Sequence, residues 1–230
     1  MPRPKQGHSN NANRWAFTIT APLKAERKND LDLYSAIQNI WIIIVIWSFI
    51  YLSDYYLTIY SAKMQREYLQ EHISYGGSFE LTPQFQKDID AFRLVSPQFL
   101  IRWLLSLLFI YIFWWLSIIL KQPRLFYFLV GALILREVAV HLRHFRNLAV
   151  YFNVKNGGGL KGKIEYSRWF VLKISAAEFL SFCFVYLVFA IFFSSWFFLG
   201  GTFGCLVIAF QHWRLSKRAV ASSQVVQDGV

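Results

Sequence analysis

The sequence predicts an all-α fold, a polytopic membrane helical bundle of four transmembrane helices plus a fifth, polar helix, partly inserted or spanning. Three observations predict it. Hydrophobic residues make up 56% of the 230 residues, aromatics 19% and charged residues only 16%, where soluble domains hold about 45–50% apolar and about 25% charged residues. The apolar residues gather in segments of about twenty, the length that crosses a hydrocarbon core. The net charge of +11 is carried by bases that flank those segments, as at a cytoplasmic membrane face.

The elements follow in order. Residues 1–36 read as a polar, partly disordered cytoplasmic tail, with Pro2, Pro4 and the run Ser9-Asn10-Asn11-Ala12-Asn13. The first thirty residues hold no apolar core fit for a cleavable signal peptide, so the first span is expected to target as well as anchor. Residues 37–218 form the membrane domain, and its first span is Ile37–Tyr60. Trp41, Trp47, Tyr51, Tyr55, Tyr56 and Tyr60 give that span interfacial aromatic ends. Residues 61–98 are an external loop. Within it Gly76-Gly77 breaks the chain and Thr82-Pro83 resembles a helix start. Phe85, Ile89 and Phe92 then share one helix face, with Lys87, Asp88 and Asp90 largely off it. This is a short amphipathic helix on the membrane surface or folded over the bundle.

The second span, Phe99–Leu120, is opened by Ser96-Pro97 and closed by Lys121-Gln122-Pro123-Arg124. The third apolar segment, Leu125–Leu135, runs directly into Arg136, Glu137, His141, Arg143, His144 and Arg146. The fourth, Phe170–Phe193, and the fifth, Phe197–Trp213, meet at Ser194-Ser195 and form an antiparallel hairpin. Gly200-x-x-x-Gly204 on the fifth permits close helix approach. Residues 219–230 are a C-terminal tail.

The third segment decides the topology. If it enters and returns, the N-terminus, residues 121–168 and the C-terminus all face the cytoplasm. The 61–98 loop then lies outside, with four bases against the acids Glu67, Glu71, Glu80, Asp88 and Asp90. That is the arrangement the positive-inside tendency favours. A full span with the N-terminus outside is the rival, and the short turn at Pro123 favours it.

Charged and imidazole groups at bilayer depth mark ion pathways, ligand sites or metal sites. Glu137, His141 and His144, at offsets of four and seven, fall in one narrow stripe of a helix face. Such a set can bind a metal, relay a proton, or form a polar seam satisfied by its neighbours. The pattern lacks the Glu-x-x-His pair on two helices that metal–carboxylate bundles repeat. It also lacks the several histidine clusters of fatty-acid hydroxylase-like enzymes. From the other spans, Lys173, Glu178, Gln211 and His212 are expected at the depth of this seam, with Glu178 opposite Arg136. His141 with His212 is an axial pairing available to haem. No cofactor is specified by these residues; metal and haem both stay open. Asp54 is expected at the outer end of the first span, where Tyr55 or Tyr56 can share it.

Other signals carry less. Gly157 through Lys163 matches G-x-x-x-x-G-K, but Ile164 stands where a phosphate-binding loop needs Ser or Thr, and a polar helix end precedes it in place of a buried strand. A basic loop beside anionic headgroups fits better. Cys183 and Cys205 lie inside apolar segments without disulfide or zinc spacing and read as core. No nucleic-acid-binding module is recognisable.

Asp54-Tyr55-Tyr56-Leu57-Thr58 and Gly77-Ser78-Phe79-Glu80-Leu81-Thr82-Pro83 resemble uncharacterised multi-pass bacterial membrane proteins that carry an Asp-Tyr-x-x-Thr helix and a Glu-Leu-Asn-Pro loop. Thr82 stands here in place of the Asn. The resemblance implies a bacterial cytoplasmic membrane and marks Asp54 and Glu80 as outer-end polar positions; it brings no activity. Three functions then compete. A membrane scaffold or accessory subunit, partnered by lipid, other membrane subunits or a second copy, comes first. A transporter or channel component using intramembrane Glu, His and Arg is second. A metal-dependent membrane enzyme acting on lipid is third.

Overall fold

Ser96 is the clearest helix start in the chain, because its hydroxyl accepts the Phe99 amide at 3.3 Å and Pro97 pre-sets the first turn. The computed structural model describes residues 39–76, 81–82, 84–157 and 159–227, with side chains to residue 221. The predicted N-terminal tail and Glu80 lie outside the described residues. From Ile40 onward the elements form one unit. They are α1 (Ile40–Met64), extended by a π turn (Gln65–Leu69), then β1 (Ile73–Tyr75), α2 (Gln86–Asp90) and α3 (Pro97–Ile119). α4 (Pro123–Gly157), β2 (Ile164–Tyr166), α5 (Arg168–Phe192) and α6 (Trp196–Gln227) follow.

The architecture is an all-α bundle, and four helices are long and apolar enough to cross a membrane: Ile40–Leu69, Pro97–Ile119, Pro123–Gly157 and Arg168–Phe192. This agrees with the fold class read from the sequence. The polar third segment belongs to the four, since it forms the 35-residue α4, about 52 Å long against a core of about 30 Å. The fifth segment forms the 32-residue α6.

Short turns fix the hairpins. Lys121 (φ 53°) and Ser194 (φ 47°) adopt left-handed backbone after α3 and α5, which reverses the chain at once. β1 and β2 pair in parallel, Ile73 with Ile164 and Tyr75 with Tyr166. The Ile164 amide donates to the His72 carbonyl and the Gly76 amide to that of Tyr166, each at 2.8 Å. β1 follows the end of α1 and β2 follows the end of α4, so both connections sit at the same end of the bundle. This corrects the expected arrangement, in which residues 61–98 and 121–168 face opposite sides. α4 traverses the bundle, and the α3–α4 and α5–α6 turns occupy the other end.

Packing follows residue size. On α4 and α6, small residues let the backbones touch: a Cβ built on Gly200 would lie 1.9 Å from the Phe128 carbonyl oxygen, and one on Gly131 would lie 1.8 Å from that of Phe197. Ala139, Phe179, Cys183, Tyr186, Cys205 and Ala209 form the core between α4, α5 and α6. Both cysteines are free and buried there, as the sequence implied. α3 is held against α1 by Trp47 Nε1 donating to Ser106 Oγ at 2.7 Å and by Tyr55 stacked on Phe99 at 4.1 Å. The expected amphipathic helix is α2, folded over the bundle, with Ile89 buried against Tyr55, Ile59, Ala62 and Phe99. Asp88, placed off its apolar face by the sequence, is instead buried; it accepts from Ser96 Oγ and pairs with Arg93 at 3.1 Å.

Candidate functional site

Two helix stripes of equal period meet between α1 and α4. On α4 they are Glu137, His141 and His144; on α1, at the same offsets, they are Asp54, Thr58 and Ser61. The Nε2–H of His144 donates to Asp54 Oδ1 (3.1 Å) and to Thr58 Oγ1 (3.2 Å). The Thr58 hydroxyl proton is already given to the Asp54 carbonyl at 2.9 Å. Nδ1 of the same ring lies 3.5 Å from Ser61 Oγ. On His141 it is Nδ1 that donates, to the main-chain carbonyl of Glu137 at 2.8 Å, since a carbonyl can only accept. Its Nε2 lies 2.7 Å from Ser53 Oγ, whose own proton goes to the Ile50 carbonyl at 2.9 Å.

Glu137 is buried and is paired with its neighbour Arg136, whose Nε donates at 3.0 Å and whose Nη2 also reaches the same oxygen. Glu178 of α5 meets Arg143 Nε at 3.0 Å with one oxygen and Arg146 Nη1 with the other. This corrects the expected Glu178–Arg136 pairing. Arg136 lies seven residues, about 10 Å along the axis, from the turn of α4 that α5 actually faces. Asp54 is corrected too: it bonds across to α4, while Tyr55 donates to the Arg93 carbonyl at 2.7 Å.

The predicted metal set Glu137, His141 and His144 does not converge, because His144 turns to Asp54 and Thr58. One atom each from Asp54, Glu137 and His141 does converge, within 4.8 Å of one another. A guanidinium already supplies the cation of that cluster through Arg136. His212 sits between α6 and α5, with Nδ1 2.9 Å from Ser175 Oγ and its ring edge-on to Phe179. It and His141 therefore face different neighbours and are not arranged as an axial pair. Lys173 leaves the seam and stacks on Trp169 at 5.0 Å.

These groups wall a cavity of about 590 Å³. Its described wall carries five arginines (Arg102, Arg136, Arg143, Arg146 and Arg168) and three carboxylates (Asp54, Glu137 and Glu178), with His144 and His212. Tyr75, Gly76, Leu81, Thr82, Gln84 and Phe85 line it as well, so it reaches the sheet end, under the segment that covers the bundle. At that end, burial and the neighbouring Tyr166 phenol raise the Tyr75 pKa above its ordinary value and keep the ring neutral. Sequence reasoning missed Ser53, Thr58, Ser61, Ser175, Arg102 and Arg168. Only the Asp54–Thr58–Ser61 spacing carried a signal that could have found them. The Gly157–Lys163 loop follows helix α4, not a strand, which agrees with the reading against a nucleotide site. No protein family, curated protein or solved structure matches the chain.

Proposed function

We propose that this chain is the solute-binding part of a membrane transport system, ahead of a scaffold or accessory role. The observation that carries the reading is the cavity. Ligand sites occupy about 300–1,000 Å³ and are lined mostly by apolar groups with a few polar ones, and a scaffold needs no such space. Here the cavity is walled by paired ions from α1, α4 and α5 and reaches the sheet end of the bundle. Ionisable groups at that depth are costly unless they serve a polar occupant.

The orientation we propose places the sheet end in the cytoplasm. Among the described residues, Lys155, Lys161, Lys163, Arg168, Lys217 and Arg218 lie toward that end, against Lys121 and Arg124 in the α3–α4 turn. The α1 entry is then external, the reverse of the cytoplasmic N-terminus expected from the sequence.

The test is flux. Protein reconstituted in vesicles should move at least one solute of a panel of phosphate, carboxylates, amino acids and sugars faster than protein-free vesicles. Glu178→Gln should change that rate while expression holds. A panel that moves no faster than in empty vesicles overturns the reading and returns the scaffold to first place. A metal centre is a second reading, favoured by the convergence of Asp54, Glu137 and His141. Metal analysis of the purified protein beside Asp54→Ala decides it: about one equivalent, lost in the variant, supports a centre, and a metal-free wild type removes it.

A further inference from the structure

We propose that Arg143 and Arg146 form the subsite for an oxyanion, the phosphate or carboxylate of a bound solute, and that Glu178 is its internal occupant, displaced when the solute arrives. This rests on the reading of the cavity as a solute site. Three observations carry it.

The first is geometric. Two guanidiniums one turn apart on α4 converge on one carboxylate from α5, each within ion-pair distance of a different oxygen. A phosphate or carboxylate presents the same pair of acceptor oxygens, which is why arginine pairs recognise both. The second is the charge around the cavity. Asp54 and Glu137 each have one partner, His144 and Arg136, whereas Glu178 is shared between two arginines. Among the described residues no carboxylate lies within ion-pair distance of Arg102 or Arg168. Arg102 stacks on the Phe85 ring at 4.9 Å, and Arg168 reaches the Leu81 carbonyl at 3.5 Å. Among the described residues of the wall the arginines outnumber the carboxylates, five to three, so this part of it attracts a further anion. The third is access. The Glu137 side chain is 6% exposed, but that of Glu178 is 20% exposed and its partner Arg146 is 57% exposed. Glu178 can therefore leave its arginines for the wet part of the cavity, and Glu137 cannot.

An occupant that holds a subsite nine-tenths of the time lowers apparent affinity about tenfold. Inorganic phosphate is the probe, titrated calorimetrically into the detergent-purified full chain. Glu178→Gln should bind it about tenfold more tightly than wild type, and the double variant with Arg146→Gln should lose that gain. If Glu178→Gln binds phosphate no more tightly than wild type while keeping its elution profile, the proposal is overturned. Should Glu178→Gln not fold, the thermal stabilisation of wild type by phosphate, absent in Arg146→Gln, carries the test, and equal stabilisation of both overturns it. A repeat in nanodiscs of phosphatidylcholine with and without phosphatidic acid separates the sources. Competition by phosphatidic acid assigns the subsite to a lipid headgroup, and no competition assigns it to a free anion; both keep the subsite. Phosphate binding without flux in vesicles leaves the subsite standing and removes the transport reading. Flux with unchanged binding in Glu178→Gln does the reverse.

Discussion

Gly200→Ala should be the most damaging single methyl group that can be added to α6. Built on Gly200, a Cβ lies 1.9 Å from the Phe128 carbonyl oxygen and 2.8 Å from both the Phe128 carbonyl carbon and the Ala132 nitrogen. Every one of those atoms is backbone, so no rotamer change relieves the clash. Real Cβ atoms do not come within 3.0 Å of a heavy atom, and α4 and α6 would have to separate by about 1 Å at that level. The separation is felt along the whole seam, because Gly131 against Phe197 and Gly204 against Ala132 sit in the same contact. Between membrane helices such backbone contact is a main source of association, since lipid offers no hydrophobic drive. Overpacking a filled interior costs about 1–3 kcal/mol. For a chain of this size that lowers the melting temperature by about 3–10 °C.

Two neighbours calibrate the effect. Gly201→Ala meets the Leu135 side chain, whose Cδ1 at 2.4 Å can turn aside while its Cβ at 2.7 Å cannot, so a smaller loss than against main-chain atoms at 1.9 Å is expected. Gly157→Ala meets nothing within 4 Å and should melt within about 1 °C of wild type. The assay is heating of detergent-solubilised protein followed by size-exclusion chromatography of the survivors. If Gly200→Ala melts within about 1 °C of wild type, the α4–α6 seam is not packed through its backbones and the reasoning fails.

Two further predictions test other links. In a Cys183→Ala, Cys205→Ala background, single cysteines at Lys87 and Lys161 should react with an impermeant maleimide from the same side of the membrane, and one at Lys121 from the opposite side; labelling of 87 and 161 from different sides would contradict the β1–β2 pairing. Asp54→Asn removes the charge that His144 faces, in a contact where the imidazole is largely buried, and should lower stability by about 1–3 kcal/mol, read as melting temperature. Asn that melts like Asp would mean the two stripes are not bonded across α1 and α4.

The helices were legible because each is an apolar run of membrane length, and the Ser96-Pro97 start was legible because capping is local. The Glu137–His141–His144 stripe was legible from spacing alone. What it faces was not: that Asp54 meets His144, and Glu178 meets Arg143 and Arg146, depends on how far α1 and α5 slide along α4, which no local pattern records. β1 and β2 are three residues each and carry no periodicity long enough to read. Without that pairing the side of each loop rested on counting bases, and the count favoured a returning third segment. Gly200 and Gly204 announced a close approach, but Gly131, the matching gap on α4, looked like any glycine in an apolar run. Arg102 and Arg168 read as ordinary helix-end bases until the cavity gathered them.

The floor of that cavity raises the last prediction. Polar groups from α1, α4, α5 and α6 all lie toward the sheet end, whereas the core of Cys183, Tyr186 and Cys205 closes the bundle beyond them. If a solute bound among the arginines is to cross that core, the helices beneath it must part. The α4–α6 contact is the place where they can, since backbones that meet through glycine slide without withdrawing interlocked side chains. A Cβ on Gly201 would lie 2.7 Å from that of Leu135, so cysteines at both positions, in the background free of Cys183 and Cys205, can be joined once the pair relaxes to about 3.8 Å. Oxidised Leu135→Cys, Gly201→Cys protein should still bind phosphate, because the arginine subsite lies nearer the sheet end, yet flux should stop and return on reduction. Unchanged flux in the oxidised protein would show that the seam does not open and that any path runs elsewhere in the bundle.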